Sequence, residues 1–311
     1  MNPRGEPGRA LHVLTGCTAV GKTEWALGWA EANQAEVLSC DSLLFYRGMD
    51  IGTAKPTSAD QRRVRHHLID IRAVSEPMNA AVYASAARGA AEEIAGRGKK
   101  VLVVGGSGFY LRSFFGPVSD SVDVPAGIRE RVAALEGSGG LGALLRELRR
   151  LNPSGLGALD TANPRRVASA LGRCLASGRT LAELASDFAR AEAPFAGWSV
   201  HLVRLDRNPL DLEVRIAARV AAMLRAGLVA EVERLCGEGL LLNPSASRAI
   251  GYRETLEVLQ GRAPLGGLAE AIAQDTRALV KKQRTWFRTQ LPAHRVVDAA
   301  SLRDPAELFL G

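Results

Sequence analysis

The chain has 311 residues, 47% of them hydrophobic and 23% charged, and its 40 Lys and Arg exceed its 33 Asp and Glu by a net charge of +7. This composition indicates a globular protein with one main core and room for a smaller domain, and the positive charge is compatible with a polyanionic partner without identifying one. No apolar run approaches the length of a membrane span, the polar N-terminus lacks the apolar centre of a signal peptide, and the four cysteines are too far apart for a disulfide framework or a zinc site, so we expect a cytoplasmic protein.

The first predicted elements are a buried strand over residues 10–15 and a helix beginning near residue 24. Between them lies Gly16-Cys17-Thr18-Ala19-Val20-Gly21-Lys22-Thr23, which fits the phosphate-binding pattern G-x-x-x-x-G-K-[ST]. The two glycines allow a tight loop whose N–H groups form an anion nest, and the helix start adds its own free N–H groups. We expect Lys22 to reach the phosphates and Thr23 to offer a hydroxyl to Mg²⁺. The motif predicts a phosphate site but not the molecule that carries the phosphates.

A second strand, over residues 36–40, ends at Asp41. Because ligands of parallel α/β sheets bind beyond the carboxyl ends of the strands, we expect Asp41 to lie beside the phosphate loop. From the residues alone it could be a magnesium ligand or a helix cap. A Gly-rich loop over 47–56 follows, then a basic cluster over 62–67, a possible strand over 67–71 and an Ala-rich helix over 79–95.

A clear strand over residues 100–104 runs into Gly105-Gly106-Ser107, a turn that would bring more backbone to the same crevice. From residue 117 to residue 197 strand signals vanish, and short helices alternate with breaks such as Gly137–Gly140. The predicted architecture is α/β: a P-loop NTPase-like parallel sheet over 1–116 and 198–311, interrupted by a helical insertion domain over 117–197.

The chain returns to the sheet with a strand over 199–205, and Asn208-Pro209 is a favourable start for the next helix. That helix carries Arg215 and Arg219 on one face, and Gly227 ends it. Further on, Arg277, Lys281, Arg284 and Arg288 form one helical stripe, and no acid occurs between residues 277 and 297. We predict that this stripe contacts phosphates; an ordinary solvated face is the alternative.

Several segments resemble the tRNA dimethylallyltransferases, and the resemblance extends from the phosphate loop to Arg288. The most specific is Asp41-Ser-Leu-Leu-Phe-Tyr-Arg-Gly-Met-Asp-Ile-Gly-Thr-Ala-Lys-Pro56, close to the family's D-S-x-x-x-Y-x-G-M-D-I-G-T-A-K-P. Other matches are His67-Leu-Ile-Asp70, Gly105-Gly106, Ala249-Ile-Gly-Tyr252, Thr276-Arg277 and Lys282-Gln283-Arg-Thr-Trp286. Two places depart from the commonest pattern: Gly16-Cys17-Thr18, where the family often has G-P-T, and Ser107, where it often has Thr.

The resemblance implies an enzyme that transfers the dimethylallyl group of dimethylallyl diphosphate to N6 of an adenosine next to the tRNA anticodon, with Mg²⁺ as cofactor. It implies that Gly16–Thr23 bind the diphosphate, that Thr23 holds the metal, and that Gly105, Gly106 and Ser107 line the substrate channel. The catalytic residues that it implies are Asp41, as the general base, Thr18 and Arg219.

The resemblance also implies a surface for the anticodon stem-loop of tRNA. It would be made of Asp41, Ser42, Leu43, Leu44, Arg165, Arg166, Val167, Ala168, Ser169, Arg248, Gly251, Tyr252, Arg253, Lys281, Lys282, Gln283, Arg284 and Arg288. The insertion domain would clamp the stem. We expect a monomer with no membrane association.

Three other functions are compatible with a P-loop. A small-molecule kinase would use the loop for ATP, but it needs neither the long loop after Asp41 nor the basic stripe. An adenylate isopentenyltransferase acting on free nucleotide needs no clamp of tRNA size. A non-catalytic RNA-binding protein need not keep Lys22, Thr23 and Asp41 together.

Overall fold

The structure, a computed structural model, describes residues 9–118 and 122–310. The polar N-terminal tail over residues 1–8 lies outside this part of the chain. Within the described ranges, no helix is both long enough and apolar enough to cross a membrane.

The centre of the protein is a six-stranded sheet in which every neighbouring pair of strands is parallel. The strands are β1 (Ala10–Gly16), β2 (Ala35–Ser39), β3 (His66–His67), β4 (Lys100–Gly105), β5 (Ser199–Asp206) and β6 (Arg295–Asp298). Their order across the sheet is β3-β2-β4-β1-β5-β6, which places β1 and β4 in the interior. The predicted parallel α/β class is confirmed.

Twelve α-helices are present in the described residues. They are α1 (Lys22–Ala32), α2 (Ser58–Arg63), α3 (Ala80–Gly96), α4 (Gly108–Leu111), α5 (Ala126–Leu151), α6 (Pro164–Ser177), α7 (Leu181–Arg190), α8 (Pro209–Arg225), α9 (Leu228–Gly237), α10 (Pro244–Ser247), α11 (Tyr252–Leu259) and α12 (Leu268–Gln290). A 3₁₀ helix over Pro305–Phe309 packs on α1 and β5.

The interior strands are continuous apolar runs because both faces of a parallel sheet are covered. Leu11 and Val13 of β1 and Leu102 and Val103 of β4 are completely buried. Such apolar runs can be recognised in the sequence, and β1 and β4 lie where the sequence analysis predicted them. The two edge strands were predicted less well. Strand β3 shares only His67 with the predicted 67–71, and β6 was missed because it buries Val297 alone.

The start of α8 follows the capping rule. The side chain of Asn208 accepts the N–H of Leu210 at 2.9 Å, and Pro209, which has no N–H to leave unpaired, begins the helix. At its other end Gly227, with φ of 98°, separates α8 from α9. This register puts Arg215 and Arg219 on adjacent turns of one face, as expected.

The contacts divide the chain into two compact units, with divisions after Phe115 and before Pro194. The second unit holds α5, α6 and α7 around its own apolar core, in which Leu144, Leu148, Val167 and Leu171 are completely buried. Helix α5 leaves the helical conformation at Gly140, within the break expected at Gly137–Gly140. Phe195, which the sequence assigned to the insertion, packs instead in the first unit, with its ring centroid 4.7 Å from that of Phe114.

Candidate active site

The phosphate loop connects the end of β1 to the start of α1, the strand–loop–helix setting that the motif requires. Gly16 has φ of 153°, and a Cβ there would lie 2.6 Å from the carbonyl oxygen of Leu205. Gly21 has φ of 99° and precedes the first residue of α1. A side chain is excluded at Gly16 by space and is strained at Gly21 by backbone conformation, which explains both glycines.

Lys22 is turned back on the phosphate loop. Its Nζ donates hydrogen bonds to the carbonyl oxygens of Gly16 at 2.8 Å and Cys17 at 2.9 Å. Burial lowers the pKa of Lys22 to about 8, although the nearby carboxylate of Asp41 acts in the opposite direction. The ammonium is thus held by carbonyl groups of the loop itself.

Beyond the carboxyl ends of β1, β2 and β4 lies a cavity of about 530 Å³. Its walls include Thr18, Ala19, Gly21, Lys22 and Thr23 from the phosphate loop and the start of α1, and Asp41, Gly105, Gly106, Arg215, Arg219 and Gln283 from elsewhere. Cys17 and Val20 are buried behind the loop, and burial raises the pKa of the Cys17 thiol. These two residues can offer only backbone groups to a ligand.

Asp41 follows β2 directly and lies in the cavity wall together with Lys22 and Arg219. One carboxylate oxygen, Oδ1, accepts the N–H of Leu43 at 3.0 Å. This bond fixes the side chain locally, as in an Asx turn, and leaves the second oxygen, Oδ2, available to a ligand. The expected proximity of Asp41 to the phosphate loop is therefore observed.

The arginines of α8 contact two separate loops. Arg219 donates from Nη2 to the carbonyl oxygen of Thr53 at 3.1 Å, and burial lowers its pKa from the usual range. Arg215 donates from Nε to the carbonyl oxygen of Ala19 at 2.8 Å. The helical spacing had placed both on one face, but it did not indicate that Arg215 supports the phosphate loop.

A third arginine near the phosphate loop was missed. Arg207, at the end of β5, donates to the carbonyl oxygen of Val20 at 3.2 Å and forms an ion pair with Asp211 at 2.7 Å. No local motif surrounds it, so the sequence carries no signal for this role.

The turn after β4 is packed closely against the end of β2. A Cβ at Gly105 would lie 1.9 Å from the carbonyl oxygen of Cys40, and one at Gly106 would lie 2.9 Å from that of Gly16. Gly105 and Gly106 line the cavity, whereas Ser107 begins the turn into α4 outside its lining. The channel role expected for all three residues stays a prediction.

Gln283, expected in the tRNA surface, lies in the cavity wall. Its Oε1 accepts the N–H of Thr18 at 3.0 Å, and its Nε2 donates to the carbonyl oxygen of Gly106 at 2.9 Å. Tyr252 is completely buried, and its hydroxyl donates to Oε1 of Glu231 at 2.6 Å. The side chain of Gln283 thus faces the cavity and that of Tyr252 the protein interior, and the tRNA contacts expected for the two residues stay predictions.

The remaining residues of the predicted tRNA surface differ in exposure. In the first unit Ser42, Arg248, Lys281, Lys282 and Arg288 are exposed, Leu43 and Leu44 are half-buried, Gly251 is buried, and Arg253 is paired with Glu254 and Asp275. In the second unit Arg165, Arg166 and Ser169 are exposed and Ala168 is half-buried, while Val167 belongs to the core. Val167 and Gly251 are thus buried in the structure, and the tRNA contact expected for each stays a prediction.

The basic stripe of α12 is partly neutralised by acids from other parts of the chain. Arg277 pairs with Glu270 at 2.5 Å, and Arg284 pairs with Asp206 at 2.8 Å and donates to the carbonyl oxygen of Arg207 at 2.5 Å. The expectation of a stripe without balancing acid is wrong for these two, because Glu270 lies about two turns earlier on α12 and Asp206 lies on β5. In the described ranges, no ion pair involves Lys281 or Arg288.

The residues present fit a magnesium ion bound largely through a diphosphate. Thr23 is exposed in the first turn of α1 and lines the same cavity as Asp41. No cluster of three His, Cys, Asp or Glu able to hold a metal exists in the described part of the chain. Mg²⁺ in phosphate-transferring sites takes few protein ligands and completes its shell with phosphate oxygens and water, so Thr23 and Asp41 suffice as candidates.

A phosphate loop on a parallel sheet, with a carboxylate and a half-buried arginine facing it across one cavity, defines a P-loop protein equipped for chemistry on a phosphorylated ligand. The sequence matches the IPP transferase family over residues 44–290. The chain belongs to this family.

Individual relatives agree with this assignment. The tRNA dimethylallyltransferase of Opitutus terrae is 64% identical over 99% of both chains, and that of Bacillus velezensis is 38% identical over 90% of this chain and 88% of its own. Among solved structures, the tRNA isopentenylpyrophosphate transferase of Bacillus halodurans aligns with a TM-score of 0.66 and 31% identity over 94% of this chain and 90% of its own. A eukaryotic dimethylallyltransferase acting on tRNA aligns with a TM-score of 0.80 over 94% of this chain and 74% of its own, and at 23% identity it supports the fold alone.

Proposed function

We propose that this protein transfers the dimethylallyl group of dimethylallyl diphosphate to N6 of an adenosine next to the anticodon of tRNA and releases pyrophosphate. The observation that carries the proposal is the position of Asp41 and Arg219 in one cavity with the phosphate loop. The names of the relatives give the substrate class, and the cavity supplies an anion site, a base and a fixed cation.

The diphosphate binds to the N–H groups of the phosphate loop and the start of α1. These groups are oriented before the ligand arrives, so they bind an anion without reorganisation. Lys22 is within reach, because its ammonium already lies at the loop. The hydroxyl of Thr23, with Asp41 nearby, would hold Mg²⁺, which when bound neutralises charge on the diphosphate oxygens.

The transfer forms a bond between N6 of adenine and C1 of the dimethylallyl group while the bond from C1 to the diphosphate oxygen breaks. The lone pair of an adenine amino group is delocalised into the ring, which makes it a poor nucleophile. Asp41 takes the proton from N6 as the C–N bond forms, a contribution of roughly 10²–10⁴-fold for a well-placed base. Arg219 stabilises the charge that develops on the departing pyrophosphate, and as an arginine it stays charged in a buried setting.

The target adenosine leaves the anticodon stack to reach the cavity, and its loss of stacking is offset by contacts with the protein. Exposed cations suited to the tRNA backbone are Arg248, Lys281, Lys282 and Arg288 in the first unit and Arg165 in the second. The second unit serves as the clamp on the anticodon stem. The protein acts as a cytoplasmic monomer.

The test is to incubate the purified protein with Mg²⁺, tRNA and dimethylallyl diphosphate labelled in the dimethylallyl group, and in parallel with ATP labelled in the γ-phosphate. Label on tRNA, mapped to the adenosine beside the anticodon, is the expected result. The first incubation is repeated with AMP in place of tRNA, and label on AMP would instead indicate an adenylate isopentenyltransferase. Label from ATP on a small acceptor added to the second incubation would indicate a kinase.

A further inference from the structure

The side-chain amide of Gln283 joins two separate walls of the cavity. Its Oε1 accepts from the Thr18 N–H in the phosphate loop, and its Nε2 donates to the Gly106 carbonyl after β4, at 3.0 and 2.9 Å. An amide carries an acceptor and a donor side by side, which is what an N–H group and a carbonyl group on opposite walls require. The two backbone partners also fix the orientation of the amide, because a reversed amide would place its NH₂ group against the Thr18 N–H and its oxygen against the Gly106 carbonyl oxygen.

The neighbours of Gln283 on α12 hold it in this position. Val280 and Phe287 are 7% and 1% exposed, so the helix is anchored in the core on both sides of Gln283. Trp286, one turn further on, lies against the start of α4, where a Cβ on Gly108 would be 2.5 Å from its ring. The adjacent Lys281 and Lys282 are exposed. One helix therefore presents cations outward and a single amide inward.

Gly106 is matched to this contact. A Cβ on Gly106 would lie 3.0 Å from Nε2 of Gln283 and 2.9 Å from the carbonyl oxygen of Gly16. The sheet pairs Thr15 with Gly105, and one step beyond that pair Gln283 links the Thr18 N–H to the Gly106 carbonyl, with no space for an additional atom on Gly106. A change in the distance between the phosphate loop and the turn after β4 would alter the directions of the loop N–H groups that meet the diphosphate.

We propose that Gln283 is a positioning residue of the diphosphate site and not a contact for tRNA. It holds the first turn of the phosphate loop against Gly106, so that the loop has its anion-binding shape before the substrate arrives. The proposal deepens the proposed function, since the site concerned is the one assigned there to dimethylallyl diphosphate.

The test uses two replacements of Gln283 with inorganic pyrophosphate as the probe. Gln283→Ala removes both hydrogen bonds, and we expect the dissociation constant for pyrophosphate, measured by calorimetry with Mg²⁺, to rise about tenfold. Gln283→Glu keeps the size and the acceptor, but it turns an oxygen toward the Gly106 carbonyl and adds a negative charge beside the anion. It should therefore bind pyrophosphate more weakly than the alanine variant. The KM for tRNA should stay within about twofold of the parent in both variants, because each loses only groups that face the cavity.

Lys282→Ala is the matched control, because it changes the next residue along the same helix. It should weaken the binding of tRNA and leave the affinity for pyrophosphate at the value of the parent protein. A raised KM for tRNA with unchanged pyrophosphate affinity in Gln283→Ala would overturn the proposal. An affinity for pyrophosphate in Gln283→Glu equal to that of the parent would also overturn the proposal, because it would mean that only the size of the side chain matters.

Gly106→Ala provides a second route to the same contact if Gln283→Ala does not fold, as judged by its circular dichroism spectrum. The added methyl group should displace the side-chain amide of Gln283 and so weaken the binding of pyrophosphate. An unchanged affinity for pyrophosphate in a folded Gly106→Ala protein would count against the proposal. Failure of the parent to modify tRNA would refute the proposed function, whereas the pyrophosphate measurements would still decide the role of Gln283.

Discussion

The hydroxyl of Tyr252 donates a hydrogen bond to Oε1 of Glu231 at 2.6 Å in the interior of the protein. The same carboxylate accepts the backbone N–H groups of Asp50, Ile51 and Gly52 at 3.0, 2.8 and 3.2 Å. Four donors thus meet a carboxylate that is 7% exposed. The loop held in this way includes Thr53, whose carbonyl oxygen accepts from Arg219, so Glu231 supports an arginine of the candidate active site from behind.

Replacing this carboxylate should destabilise the fold. In Glu231→Gln the amide nitrogen faces at least one N–H group that had an acceptor, and we expect a loss of about 2–3 kcal/mol in the free energy of unfolding. Tyr252→Phe leaves the three backbone bonds intact and should lose about 1–2 kcal/mol. Urea denaturation measures both. Glu233→Gln changes an exposed acid on the same helix and should be close to neutral; a loss there equal to that of Glu231→Gln would contradict the explanation.

Lys22 should give diphosphate binding a pH dependence. Burial lowers its pKa from 10.5 to about 8, so the side chain loses its charge as the pH rises through that value. The affinity for pyrophosphate, measured by calorimetry, should therefore decrease from pH 7 to pH 9. Lys22→Arg keeps its charge over this range, and the difference between the two proteins removes the ligand's own titration. Parallel pH profiles would show that Lys22 does not titrate in this window.

The same depressed pKa has a consequence of opposite sign for stability. Between about pH 8 and pH 10.5 the unfolded chain keeps the proton on Lys22 and the folded protein does not. Stability therefore rises with pH through this window as far as this group is concerned. The melting temperature of the parent minus that of Lys22→Met should rise with pH through this window. A difference in melting temperature that falls with pH would contradict the prediction.

Asp41→Asn should separate catalysis from local structure. An asparagine side-chain oxygen can still accept the Leu43 N–H, which is bound at 3.0 Å, so the turn and the stability should be retained. If Asp41 is the base, kcat should fall by roughly 10²–10⁴-fold while the affinity for tRNA changes little. Single-turnover transfer and filter binding measure the two quantities. Near-normal turnover with unchanged stability would mean that Asp41 is not the base and serves only as a cap, a role that asparagine also fills.

The exposed cations of α12 should control the salt dependence of tRNA binding. Each phosphate contact releases counterions, so Lys281→Ala combined with Arg288→Ala should lower the slope of log K against log salt by about 1.4–1.8 in total. Arg277→Ala is the control because Arg277 already pairs with Glu270, and it should change the slope much less. Equal slopes for the double variant and the parent would remove this helix from the tRNA surface.

The sequence by itself determined the parts of the protein that depend on neighbours along the chain. The order strand, phosphate loop and helix follows from Gly16, Gly21 and the apolar run before them, because local backbone conformation is set by local residues. The buried strands β1 and β4 and the cap at Asn208 were predictable for the same reason. The position of Asp41 beside the loop followed from a general property of parallel sheets.

Only the tertiary structure decided which distant groups meet. Gln283 is separated from Thr18 by 265 residues, Glu231 from Asp50 by 181, and Arg284 from Asp206 by 78. The spacing of the basic residues on α12 predicts the stripe. It does not show that Asp206, on β5, neutralises Arg284, or that the side-chain amide of Gln283 on the same helix faces the cavity. Pairings of this kind are set by how helices pack on the sheet, because packing and the need to satisfy buried polar groups act between segments that the sequence lists far apart.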